Sequence, residues 1–198
     1  MYISTETGTR YNPVFLTILE DIVGGVTLST TRIPSNVFKL PAGTLLSTTS
    51  TSKVYQPVPT AKSNSTQAAA TAIQLDRGTS PLLFNVGDDI AVVGGTTGST
   101  ITRIATSANT VWIATGTAIG VLATASQVNM VAAAGATLKK YTAAAILKNT
   151  ETVREDDGTT KYNVMGSAVI RGTVDESLLP FAVETADKTA LTDRVKFA

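Results

Sequence analysis

The stretch from Tyr162 to Val174 restricts the fold of this chain more than any other. Tyr162, Val164, Gly166, Ala168, Ile170, Gly172 and Val174 share one parity, and Asn163, Ser167, Arg171, Thr173 and Asp175 the other. Side chains in a strand alternate between faces, so the pattern predicts a single strand with one buried and one wet side. Met165 falls on the wet parity, which implies that this second face is also covered, by a partner sheet or subunit. Upstream, Ala143 to Leu147 is small and apolar and reads as a preceding strand. Between them, Glu155-Asp156-Asp157-Gly158 supplies turn chemistry, because Gly accepts positive φ and Asp bonds its own backbone.

The rest of the chain repeats this theme of short apolar runs punctuated by Gly, Pro and Asn, in a background rich in Thr. Such a chain is expected to be mainly β. Residues 1–12 read as a polar N-terminal arm. Val14 to Ile22 reads as a strand, and Val26 to Ile33 as an extended segment ended by Pro34. Pro41 and Gly43 suit a turn that feeds a strand at Thr44 to Ser47. Val54 to Pro59 carries two prolines and belongs at an edge. From 73 to 137, closely spaced strands with Gly and Asn turns predict a separate small β-barrel or meander. It would be inserted into a base domain made of 1–72 and 138–198. Asp175 to Pro180 reads as a short helical turn. Thr185 or Asp187 is placed to cap a short C-terminal helix over Lys188 to Arg194.

Several chemistries are closed to these residues. The 198 residues include no Cys and no His. Disulfides, thiol nucleophiles and thiolate metal sites are therefore excluded, and so are the commonest general base and the commonest metal ligand. The expectation is a protein that is not an enzyme and carries no cofactor and no metal. Charged residues make up only 16% against 43% hydrophobic, and the formal net charge is +1. No field is present to gather nucleic acid or an anionic membrane surface. No run approaches ~18 apolar residues, so no membrane span is expected, and no secretory signal pattern is visible at the N-terminus.

The remaining constellations read as structure. Gly94-Gly95-Thr96-Thr97-Gly98-Ser99-Thr100 lacks the Lys and the following helix of a phosphate loop and reads as a hairpin loop. Asp88-Asp89 and Glu155-Asp156-Asp157 read as solvated turns without calcium-loop spacing. Lys139-Lys140 reads as a wet junction where the small unit rejoins the base. Asn64-Ser65-Thr66 matches a glycosylation acceptor only as a chance pattern. Trp112, the single tryptophan, reads as a core or interface residue, with ligand stacking as the alternative.

Taken together, Ala143 to Leu147, the strand Asn163 to Val174 with its Arg171-Gly172-Thr173-Val174, and Leu178-Leu179-Pro180 resemble the small trimeric head-decoration proteins of tailed bacteriophages. Phe38 to Leu45, with its Pro41-Ala42-Gly43 turn, and Val54-Tyr55 resemble the earlier strands of that family. The likeness spans roughly 38–60 and 141–198. The unit from Phe84 to Val121 resembles a β-module found in phage structural proteins. The insert and the arm depart from the short decoration proteins and leave room for a head-fibre or auxiliary-capsid role.

The resemblance implies a structural virion protein, made in the host cytoplasm. It would bind the outer capsid surface as a homotrimer and clamp neighbouring copies of the major capsid protein. Tyr11, Asn12 and Pro13 of the arm, Arg171 and Gly172 of the long strand, and Trp112 of the insert are the candidate partner-binding residues. Alternatives are a module that captures a fibre or a surface glycan, and a tail-tube or connector subunit.

Overall fold

Among the described residues the short apolar runs become sixteen strands, one α-helix and one turn of 3-10 helix. The computed structural model describes residues 14–48, 54–67, 71–76, 80–107, 110–155 and 164–198. In chain order the strands are β1 (Phe15–Asp21), β2 (Val26–Leu28), β3 (Lys39–Leu40), β4 (Leu45–Thr48), β5 (Val54–Pro57), β6 (Thr60–Lys62), β7 (Ala72–Asp76) and β8 (Asp89–Val92). They continue with β9 (Gly98–Thr106), β10 (Thr110–Thr115), β11 (Gln127–Met130), β12 (Ala145–Leu147), β13 (Glu151–Thr152), β14 (Val164–Gly166), β15 (Ala168–Val174) and β16 (Val195–Phe197). Helix α1 spans Thr185–Leu191. The protein is therefore mainly β with one short helix near the C-terminus.

The first sheet has eight strands in the order β1-β15-β12-β4-β5-β2-β14, with β16 also paired to β15. Strands β14 and β15 stand far apart in that order, yet only Ser167 separates them in the chain. The sheet therefore curls into a half-barrel whose two ends meet at this residue. The expected unbroken strand from Tyr162 to Val174 is thus two strands; Tyr162 and Asn163 lie outside the described residues. The reason is a change of partner: Met165 pairs with Thr27 of β2, whereas Ala168 pairs with Leu147 of β12. The polar groups released at the break are satisfied elsewhere, as buried backbone requires. The Lys148 N–H donates to the Ser167 carbonyl at 2.8 Å, and the Glu151 carboxylate accepts from the Ser167 backbone. Gly166 suits the tight inner wall, because a Cβ there would lie 3.0 Å from Leu28 Cδ1.

Ala143 to Leu147 lacks alternation because β12 is covered on both faces, as central strands with two covered faces are. Ala145 and Leu147 face the barrel interior with Leu28, Leu40 and Leu46. Ile146 and Leu45 face the other way, beneath Leu191 of α1 and Val195 of β16. Helix α1 starts earlier than the sequence predicts. Its N-cap is Glu184, and Glu184 and Asp187 form a reciprocal capping box, which satisfies two otherwise orphaned N–H groups.

The second sheet has six strands in the order β6-β11-β8-β9-β10-β7. It lies in sequence between β5 and β12, and its first strand begins at Thr60, upstream of residue 73. Its ends also approach: Ser63 and Leu75 form a bridge, and the Asn64 N–H donates to the Gln74 carbonyl at 3.0 Å. The curled sheet encloses its own core, which includes Phe84, Ile90, Ile101, Ile113 and Leu122. The loop from Val93 to Thr97 joins the antiparallel strands β8 and β9, as expected for a hairpin.

Two polar clamps tie the sheets together; one corrects the expectation of a solvated turn at Asp88, the other that of a wet junction at Lys139. Asp88 is buried rather than solvated: it pairs with Arg32 from the loop after β2, and its other oxygen accepts the Asn85 N–H at 2.8 Å. The Lys139 side chain is also largely enclosed. It pairs with Asp187 of α1 and lies 3.4 Å from Glu184. Asp187 is fully enclosed, at 0% exposure, and also accepts the Ala143 N–H at 3.0 Å. Asn129 of β11 donates to Glu184, and Gln127 donates to the Val183 carbonyl at 2.8 Å. A chain this poor in charge thus uses several of its ions as interior fasteners.

Candidate functional site

The outermost strand of the first sheet, β1, is the clearest surface feature. It pairs with β15 alone, so among the described residues no strand occupies its other edge. Leu16, Ile18 and Leu19 are exposed, Leu19 at 71%. Val23, in the turn that follows, is 96% exposed. Met165 is 61% exposed on β14, near Gly25. The sequence predicts a covering over Met165, and within the chain none of the described residues supplies it. Natural edge strands are usually blunted by charge, proline or a cover. Here Glu20 and Asp21 blunt only the C-terminal end of β1. Glu20 lies 3.8 Å from Arg171, and Asp21 lies 2.8 Å from Lys148. The hydrogen bond and charge of Lys148 hold the Asp21 carboxyl below its ordinary value.

The pairing of β1 with β15 depends on a missing side chain. A Cβ on Gly172 would lie 2.3 Å from the Thr17 carbonyl oxygen. Bulges between Phe15 and Thr17 and between Ile18 and Glu20 add further irregularity. Gly172 is therefore covered by β1, whereas its neighbour Arg171 is exposed. Tyr11, Asn12 and Pro13, which immediately precede this strand, lie outside the described residues. Trp112 is on the other sheet, so the structure does not gather the sequence-derived candidates into one place.

Trp112 is not a core residue. It stands 43% exposed on the outer face of β7, β10 and β9. Its core-facing neighbours on β10 are Val111 and Ile113, both buried.

A cleft of about 1050 Å³ runs between the two sheets. Val37, Leu82, Phe84 and Phe181 give it an apolar floor, with Lys39 and Lys62 among the polar lining. Among the described residues no cluster of three or more acidic side chains is placed to hold a metal ion. No helix of the described residues is long and apolar enough to cross a membrane.

The residues that sequence reasoning missed are Leu16, Leu19 and Val23. Their apolar character was visible, but an apolar run is read as buried, and nothing local marks it as an outer edge. No known family, characterised protein or solved structure matches this chain.

Proposed function

We propose that this protein is a structural component of a phage virion that binds the outer capsid surface as a homotrimer and stabilises the head. The carrying observation is the edge of β1, open among the described residues, with Leu16, Ile18 and Leu19 exposed along it. An unpaired edge rich in apolar side chains is a template for strand addition from another chain. Exposed apolar surface of this kind marks protein contacts. The resemblance of 38–60 and 141–198 to head-decoration proteins supplies the identity of the partner, the major capsid protein. The decoration-like base and the outward position of the second sheet belong to this same reading. On a repeating lattice many modest contacts combine, so no single strong site is required.

The test is assembly. Native mass spectrometry of the purified protein should give trimers, and the protein should bind expanded capsid shells that lack it. Leu19→Lys places a charge on an exposed position and should abolish binding while leaving the melting temperature within a degree or two. A protein that stays monomeric at micromolar concentration and ignores such shells refutes the reading. Closed rings larger than trimers favour a tail-tube or connector subunit instead.

A further inference from the structure

We infer that the outer face of β7, β10 and β9 is a binding platform for a carboxylate-bearing saccharide, centred on Trp112. The argument begins with register. Trp112 lies directly opposite Gln74 on one side and Ala105 on the other. The next row holds Ala114, opposite Ala72 and Arg103. Residues opposite one another in a sheet share a face, so these side chains surround the indole. A shift in register between Ala114 and Thr115 changes the parity of β9. It places Ile101 in the core while Arg103 and Ala105 join the face of Trp112.

The composition of this face is unusual for plain solvent-facing sheet. Three of the nearest neighbours of the only tryptophan are alanines, which are too short to cover the ring. A large aromatic surface is left standing above a flat floor. An indole face carries partial negative charge and takes up the weakly positive C–H face of a sugar ring. Two side chains beside it keep donors with no partner among the described residues. Gln74 accepts from Ser65 through Oε1 at 3.2 Å, and its Nε2 has no partner among the described residues. Arg103 is exposed and has no ion pair or hydrogen bond among the described residues. An amide donor suits a hydroxyl, and a guanidinium with no partner among the described residues suits a carboxylate with paired hydrogen bonds. One aromatic plane, one neutral donor and one cation in adjacent rows match an acidic sugar. A single-stranded nucleic acid would need a track of cations along its backbone. Among the described residues Arg103 is the one cation of this face; the exposed Asp76, opposite Thr110, lies on the far side of Trp112 from it, and the net charge is only +1.

The platform lies on a different sheet from β1, so it is independent of the capsid reading. The single tryptophan provides the assay, since its emission reports the platform directly. Titrate the full chain with uronic- and sialic-acid-terminated oligosaccharides, their carboxyl-reduced counterparts and a single-stranded oligonucleotide, following Trp112 fluorescence and calorimetry. The expected result is a blue shift and saturable binding of an acidic oligosaccharide. The carboxyl-reduced form, Arg103→Ala and Trp112→Ala, the last read by calorimetry, should each bind about tenfold more weakly or worse. All of these side chains are exposed or half-buried, so the variants should keep the wild-type melting curve. Failure of every acidic oligosaccharide to bind overturns the proposal. So does equal binding of the carboxyl-reduced forms, binding that survives Trp112→Ala, or preference for the oligonucleotide.

Discussion

Replacing Lys139 with Met tests how firmly the two sheets are joined. Met keeps the length and apolar stem of the lysine but removes the ammonium. Asp187, with no exposed surface, would then keep only the Ala143 N–H at 3.0 Å and its capping contact with the Glu184 N–H at 3.4 Å. The Glu184 carboxylate, now 3.4 Å from Lys139, would face it with no cation between them. Removing one partner of a buried ion pair destabilises by about 3–5 kcal/mol, because the surviving charge is left without compensation. With a urea m-value of about 2 kcal/mol per M, the unfolding midpoint should fall by about 2 M. Asp187→Asn keeps a carbonyl for the Ala143 N–H and leaves Lys139 with Glu184, so it should cost less, about 1–3 kcal/mol. The double variant should be less damaged than the sum of the two, with a coupling of about 1–3 kcal/mol. Far-UV circular dichroism in urea, with the slope checked for constancy, measures all four corners. If Lys139→Met lies within about 0.5 kcal/mol of wild type, as an ordinary surface change would, the clamp is not a fastener and the reasoning fails.

Two further outcomes follow from geometry and charge. In Gly98→Ala the new Cβ would lie 2.2 Å from the Ala136 carbonyl oxygen, whereas in Gly116→Ala the nearest atom is 3.9 Å away. Thermal melting should show a loss of about 1–3 kcal/mol for the first and almost none for the second; equal effects would contradict the packing described. Burial raises the Glu151 carboxyl above its ordinary 4.5, partly offset by the Ser167 backbone. A raised carboxyl favours the folded state at pH below its unfolded value, and that contribution is lost as pH rises through the folded value. Glu151→Gln should therefore flatten the pH dependence of melting just above 4.5 and raise the midpoint at pH 7, and an unchanged profile would argue against it.

The mainly β character and the strand within Ala143–Leu147 were legible because strand periodicity and apolar runs are local. The helical turn at Glu176–Leu178 was legible for the same reason: Asp175 caps it and Pro180 lies just beyond. The break at Ser167 was not, because Val164, Gly166, Ala168, Ile170, Gly172 and Val174 keep one apolar parity across it, while Val169 on the parity predicted wet is also fully buried. Only the curl of the whole sheet assigns the two halves to different partners. Asp88 and Lys139 looked like surface charges because their counter-ions, Arg32 and Asp187, are distant in sequence. The core half of the core-or-interface reading of Trp112 failed for a similar reason: the alternation of β10 was readable, but which side of the strand faced inward was set by Leu75 and Ile104 on its neighbours. The exposed flank of β1 was hidden by the same limit, since sequence shows hydrophobicity and not position within a sheet.

Among the described residues the only ladder partner of β1 is β15, which lies about 150 positions later in the sequence. On the ribosome, Leu16 and Leu19 leave the exit tunnel long before Val174 is translated. The nascent polypeptide therefore carries a sticky ribbon through most of its synthesis, and any product terminated early keeps it permanently. Truncated forms of this protein should collect in inclusion bodies or on chaperones, while the finished chain returns one side of that ribbon to its own fold.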